Sequence, residues 1–167
     1  QAGSEAAGGK VIFAHLGSGV SLAAVDHGKP VDTTMGFTPT AGLVMSTRPG
    51  DLDPGLLIYL MRTQNLSHDE ADDLVNRRCG LLGLSETSGD LRDLVSRCDS
   101  DQRAKDALDV FYWSTRKWIG AMAAALGGVD TLVFSGGIGE HSPAARAAIG
   151  QGLQFLGVKV DRARNGT

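Results

Sequence analysis

Chemistry in this sequence concentrates where glycines meet polar side chains. Phe134 is followed by Ser135-Gly136-Gly137-Ile138-Gly139-Glu140-His141, after which Ser142-Pro143 supplies the cap and first position of a helix. Glycines between a strand and a helix let backbone N–H groups turn toward a phosphate, and the helix start adds partial positive charge. A second glycine turn, His15-Leu16-Gly17-Ser18-Gly19, also follows an apolar run. If the two preceding strands share a sheet, both turns would converge on one phosphate chain. Each turn also has a plainer reading: tight turns or close packing for the glycines, an ordinary hairpin at Gly17 and Gly19, and a hydrogen-bonded strand-end histidine at His15. Neither a dinucleotide fingerprint nor a P-loop is present. The spacing G-x-G-x-x-G is absent from 135–141, and Gly3 to Lys10 misses the P-loop pattern by one residue and lacks the Ser or Thr after the lysine.

Thr47-Arg48-Pro49-Gly50-Asp51 holds a single guanidinium. An arginine there would donate bidentate hydrogen bonds to a transferring phosphoryl group, or would pair with Asp51 or Asp53. In Asp90-Leu91-Arg92 the aspartate is placed to cap a helix through Val95, with Arg92 on its solvated face. Asp69 to Asp73 reads as an exposed acidic helix face, not a metal site. Cys79 and Cys98 are too few for a disulfide scaffold and lack the spacing of a zinc site, which suits a reduced cytoplasm.

The elements that position these residues follow from pattern and end signals. Val11 to Ala14, Val20 to Val25 and Val31 to Met35 read as three strands joined by Gly17-Ser18-Gly19 and Asp26-His27-Gly28-Lys29, an antiparallel meander. Gly36 to Asp53 carries two prolines and no period, so a long structured loop is predicted, a kind of segment that is usually functional. Asp53-Pro54 announces a helix over Leu56 to Met61, and the capping box Ser67-His68-Asp69-Glu70 announces one over Ala71 to Arg78. The clearest helix runs from about Asp101 to Leu126. Ala104, Leu108, Phe111, Thr115, Trp118, Met122 and Leu126 share one face, and Gly127-Gly128 stops it. Thr131 to Phe134 is a short apolar strand typical of a sheet covered on both sides, and Phe155 to Val160 is expected to begin another.

Composition bounds the reading. With 167 residues, 42% apolar, the chain can fill a core, and its 23 glycines are about twice the usual share. Its net charge of −3, with scattered basic residues, argues against nucleic acid as a partner. The uncharged stretch Trp118 to Val129 falls short of the ~20 residues of a membrane span, and nothing resembles a signal peptide, so a soluble chain with no membrane partner is expected. The opening at Gln1 and the turn-like end at Arg164-Asn165-Gly166-Thr167 suggest a fragment.

In order along the chain, several segments resemble the acetate kinase family of acyl-carboxylate kinases, within the superfamily of sugar kinases, actin and heat-shock chaperone ATPases. They are Val11 to Leu22, Asp32 to Pro39 with Gly42 to Arg48, Gly80 to Ser85 leading into Asp90 to Arg92, Ile119 to Asp130, and Phe134 to Ser142. The resemblance covers nearly the whole chain from Val11 on. It implies an α/β, actin-like or ribonuclease-H-like lobe, in which the three-stranded meander is followed by helices and a central apolar strand, truncated at both ends. Residues 1–10 would be a leader and 11–167 the single nucleotide-binding lobe of a two-lobe kinase.

The activity implied is reversible transfer of the γ-phosphoryl of ATP to acetate or a similar short carboxylate, with Mg²⁺. His15, Leu16, Gly17, Ser18 and Gly19 would contact the ATP phosphates, Asp90, Leu91 and Arg92 would line the adenosine pocket, and Gly137, Ile138, Gly139, Glu140 and His141 would hold the nucleotide too. Arg48 matches the family arginine that stabilises the phosphoryl transition state. Ser18 and His141 stand where the family usually has Asn. The family's catalytic histidine, carboxylate-binding arginine, acidic magnesium partner and C-terminal glutamate have no counterpart here, so no metal ligand is assigned to this chain. A cytoplasmic homodimer is expected of the full-length protein. The alternatives are a nucleotide-binding module without turnover, isolated or degenerate, and another kinase of the superfamily with a different acceptor.

Overall fold

The computed structural model describes residues 8–166. Of the leader expected at 1–10, residues 1–7 lie outside the described residues, and Lys10 already belongs to the first strand. The described residues form a mixed α/β structure of four strands and eight α-helices. Within the span expected as one lobe the chain forms two compact units. One joins the stretch ending at Thr34 to the stretch beginning at Tyr112; the other is Met35–Phe111.

The first unit holds the sheet. β1 (Lys10–Leu16) pairs antiparallel with β2 (Val20–Asp26), which pairs antiparallel with β3 (Lys29–Thr33). Period-two alternation turns Ile12, Ala14 and Leu16 of β1, and Val20, Leu22 and Ala24 of β2, into the core while His15 stays exposed. β3 starts two residues earlier than its apolar pattern indicates. Asp26 is opposite Lys29, and His27 and Gly28 both take positive φ (48° and 78°), so a two-residue hairpin turn launches the strand at once.

β4 (Thr131–Ser135) runs parallel to β1, giving the order β3-β2-β1-β4. Among the described residues β4 is therefore an outer strand, not the central one expected, and its five residues are all half-buried. A continuous apolar run marks burial but does not show which strands have neighbours on both sides; here those are β1 and β2.

The second unit is helical. α1 (Pro54–Thr63) is capped by Asp53, whose carboxylate accepts from the Gly55 N–H at 2.8 Å. α2 (His68–Asp73) opens with the full Ser67/Glu70 capping box, and the hydrogen bonds from Ser67 lower the Glu70 pKa. The helix expected to continue to Arg78 instead widens after Asp73 into a π-helical turn, Leu74–Arg78. α3 (Gly80–Ser85) has no period or cap to reveal it. α4 (Leu91–Arg97) follows Asp90.

α5 (Gln102–Leu126), which belongs to the second unit up to Phe111 and to the first from Tyr112 on, is the long helix expected, and Ala104, Leu108, Phe111, Thr115, Met122 and Leu126 of the predicted face are buried. Ala107, Ile119 and Ala123 are buried as well, so burial extends beyond that face. It stops in a Schellman arrangement, with Gly127 N–H donating to Ala124 O (3.1 Å) and Gly128 N–H to Ala123 O (2.8 Å).

Back in the first unit, β4 leads into α6 (Gly136–His141) and α7 (Pro143–Gln151), and α8 (Arg162–Asn165) closes the described chain. The strand expected over Phe155 to Val160 does not form. That stretch makes one 3₁₀ turn, Gln154–Leu156, and Val160 then packs onto Gly150, where a larger side chain would collide with it. Close packing on a helix replaces sheet pairing.

Candidate functional site

In the first unit the parallel register sets His15 opposite Ser135, so β1 and β4 deliver their following turns to the same end of the sheet. In open α/β sheets, ligands bind outside the carboxyl ends of parallel strands. His15 Nδ1 lies 3.3 Å from Ser135 Oγ. Ser135 precedes α6, yet its hydroxyl makes no cap bond to that helix. The turn after β1 is tight, with Gly17 N–H donating to Gly19 O at 3.1 Å.

The glycine segment 136–141, which the sequence places between strand and helix, is itself a helix, and Pro143 begins a second one. The Gly136 N–H donates to Glu140 Oε1 at 3.0 Å, so the helix folds its own carboxylate back over its first donor. Arg146 on α7 pins the other end, donating to Gly139 O (3.0 Å) and Glu140 O (2.6 Å), while its remaining nitrogens reach Asn165.

The glycines here divide by what the backbone demands. Gly136 has φ +78°, and a methyl group on it would stand 2.7 Å from Leu16 O and 3.0 Å from His15 Cε1, so only glycine lets the two turns touch. Gly137 is different. It is exposed, has no positive φ and would meet nothing within 4 Å, so the fold does not require glycine there. An open approach to the start of α6 is what the missing side chain leaves. Of the other expected contacts, Leu16 and Gly139 are buried and offer main chain only, while Ser18, Glu140 and His141 are exposed and Ile138 is half-buried.

In the second unit Arg48 sits on a turn closed by Met45 N–H donating to Arg48 O at 3.0 Å. The carbonyls of that turn are taken by the approach to α3: Leu81 N–H donates to Met45 O, Leu82 N–H to Ser46 O and Cys79 N–H to Thr47 O, all at 2.9 to 3.0 Å. Gly80, at φ +64°, lies under the turn; a methyl group there would be 2.8 Å from Arg48 O and closer still to Met45 O. Ser46 Oγ donates to Gly89 O (2.7 Å) and Thr47 Oγ1 to Asn76 O (2.8 Å).

The guanidinium itself donates to Pro39 O. It makes no ion pair with Asp51 or Asp53, whose carboxylates accept from the Gly42 and Gly55 N–H groups instead. A hydrogen-bonded backbone thus presents a half-buried arginine whose charge is paired with no carboxylate among the described residues. Sequence reading missed Asn76, Gly80 and Gly89, which hold this turn across 29 to 43 positions. The signal available was the glycine after Arg77-Arg78-Cys79, a break that periodicity does not explain.

Asp90 caps α4, accepting from the Arg92 N–H at 2.9 Å, and its two carboxylate oxygens take the Arg92 Nε and Nη2 at 3.1 and 2.6 Å. That fork lowers the Asp90 pKa and raises that of Arg92. Leu91 is buried, so of the three residues expected near an adenosine only Asp90 and Arg92 present side chains to solvent.

The model of the Acetokinase family matches residues 3–167. The acetate kinase of Alkaliphilus metalliredigens (strain QYMF) is 48% identical over 157 residues, 93% of this chain and 40% of that protein. That of Clostridium botulinum (strain Hall) is 49% identical with the same coverage. The crystal structure of Porphyromonas gingivalis acetate kinase superimposes with TM-score 0.91 at 40% identity, over 95% of this chain and 40% of that one. A propionate kinase from Francisella tularensis subsp. tularensis SCHU S4 gives 0.89 at 37% identity, over 95% and 41%. The chain spans about 40% of the length of the curated relatives it matches. The expected resemblance is borne out in sequence and in fold, and the chain belongs to the Acetokinase family.

Proposed function

We propose that the protein carrying this chain reversibly transfers the γ-phosphoryl group of ATP to acetate or a similar short carboxylate, giving the acyl phosphate and ADP. Support comes from membership of a family whose matched relatives are named acetate and propionate kinases. The single observation that carries the chemistry is Arg48, a guanidinium on a clamped turn with no carboxylate partner among the described residues. A carboxylate oxygen attacks the γ-phosphorus, the bond to the β-bridging oxygen breaks, and ADP leaves with the electron pair. Charge spreads over the three equatorial oxygens of the moving group, and the free donors of Arg48 are suited to them. His15 to Gly19 and Gly137 to His141 hold the nucleotide phosphates by main-chain donors and small polar groups, and Asp90 to Arg92 face the adenosine.

Magnesium travels with the nucleotide phosphates and would neutralise their charge. Among the described residues no group of three or more His, Cys, Asp or Glu side chains is placed to hold a metal ion, so these residues do not fit a metal site of their own and no step is assigned through one. Nor is any described helix long and apolar enough to cross a membrane. We place the protein in the cytoplasm, where Cys79 and Cys98 stay reduced, as a homodimer.

The test is Arg48→Ala in the protein that carries this chain, assayed for acyl phosphate formation. A loss of roughly 10³-fold in kcat is expected, with Arg48→Lys recovering little because a lysine lacks the fork. A rate equal to wild type would remove Arg48 from the mechanism.

A further inference from the structure

Arg48 and the carbonyl that receives it lie on opposite limbs of the long loop, nine positions apart. One residue is bonded to both limbs. Thr40, next to Pro39, donates its hydroxyl to Asn76 Oδ1 at 3.0 Å; Thr47, next to Arg48, donates its hydroxyl to the Asn76 main-chain oxygen at 2.8 Å. The amide nitrogen of Asn76 donates to Asp72 O and Oδ1 at 3.1 and 3.0 Å, so the side chain is itself oriented by α2. Asn76 lies in the π-helical turn, which ends at Cys79. Helix ends leave carbonyls without intrahelical donors, which frees that of Asn76 to accept from Thr47. π-turns in helices often mark functional positions.

We propose that Asn76 is the positioning residue of the Arg48 guanidinium, because it ties the limb carrying Pro39 and the limb carrying Arg48 to one point. Rigid backbone bonds fix the turn at 45–48, but the guanidinium stands several rotatable bonds away from it. Its direction depends on where the Pro39 carbonyl is held, and Asn76 sets that relation between the limbs. The proposal rests on the phosphoryl-transfer reading of Arg48 and adds to it a residue that touches no reacting atom.

The experiment crosses Asn76→Ala, Thr47→Val and Thr47→Ser with Arg48→Ala in the protein that carries this chain. It reads kcat, the KM for ATP, and hydrogen exchange of the amides of 39–48. Asn76→Ala and Thr47→Val are each expected to lower kcat about tenfold, the effect of a hydrogen bond lost from a positioned group, with the KM for ATP within about twofold. Thr47→Ser keeps the hydroxyl and should restore the rate. Exchange over 39–48 should quicken in Asn76→Ala. In the Arg48→Ala background neither change should slow the reaction further, since no guanidinium remains to be aimed.

Equal slowing in both backgrounds, or unchanged kcat with unchanged exchange, overturns the proposal. If Asn76→Ala does not fold, the near-isosteric Thr47→Val and Thr47→Ser pair decides. A full rate in Arg48→Ala alongside faster exchange in Asn76→Ala would sink the reading of Arg48 and leave the loop-holding role of Asn76 standing.

Discussion

Gly136 and Gly137 are adjacent, identical in type and opposite in what they do. At Gly136 a positive φ and the nearby Leu16 carbonyl leave no room for a side chain. At Gly137 φ is not positive and a Cβ would meet nothing within 4 Å. Gly136→Ala should therefore destabilise the chain by about 1 kcal/mol for the strained φ alone, and by more for the collision. Gly137→Ala should leave the urea midpoint unchanged or slightly raised, since Ala is the better helix former by up to ~1 kcal/mol. In nucleotide titration the order reverses for a reason unrelated to stability: Gly137→Ala, although fully folded, should bind ATP at least several-fold more weakly if the open approach at α6 serves the phosphates. Equal affinity for wild type and Gly137→Ala would remove α6 from the nucleotide site.

The same contrast holds for Arg48, whose turn is held by four main-chain hydrogen bonds while no carboxylate among the described residues pairs with its charge. Asp51 and Asp53, close in sequence, spend their carboxylates on backbone donors. Nearness along the chain therefore gave a partner that the structure does not use.

At the scale of elements, α3 matters more than its six residues suggest. Its first amides satisfy carbonyls of the Arg48 turn, a use of helix-start donors that needs no charged ligand. Gly80 makes the approach possible. Gly80→Ala is expected to cost at least ~2 kcal/mol in chemical denaturation, since a methyl group would meet backbone oxygens that cannot swing aside. Hydrogen exchange at Leu81 and Leu82 should rise with it, and a variant that melts like wild type would show that the turn can shift without α3. The π-turn before it explains why the helix expected through Arg78 ends early: Asp73 draws Arg77 and Arg78 into exposed ion pairs at 3.3 and 3.0 Å, and the widened turn frees Asn76 for the loop. Those ion pairs themselves contribute little.

At the scale of the whole molecule, two compact units divide the residues expected to act on ATP. His15 to Gly19 and Gly137 to His141 belong to one, Arg48 and Asp90 to Arg92 to the other. The chain spans about 40% of its curated relatives. On the proposed reading the 167 residues expressed alone should bind ATP in calorimetric titration yet form no acyl phosphate, whereas the protein that carries them forms it. Turnover by the 167 residues alone would show that these residues supply acceptor-binding groups not assigned to them.

By itself the sequence determined the patterned and punctuated parts: β1 and β2 from apolar runs split by a glycine turn, α1 from Asp53-Pro54, α2 from the Ser67 to Glu70 box, α5 from its seven-residue face and double-glycine stop, and the family from the order of its segments. These are local signals, written within a few turns of chain. Tertiary structure alone decided that β4 lies outside β1, that Val160 packs on α7, that Gly136 serves the fold while Gly137 does not, and that Asn76 and Gly80 hold the turn of Arg48. Each of those rests on a contact between residues far apart in the chain. A hydrogen bond from Thr47 to Asn76 or a collision at Gly136 depends on distance in space, and spacing in sequence carries no record of it.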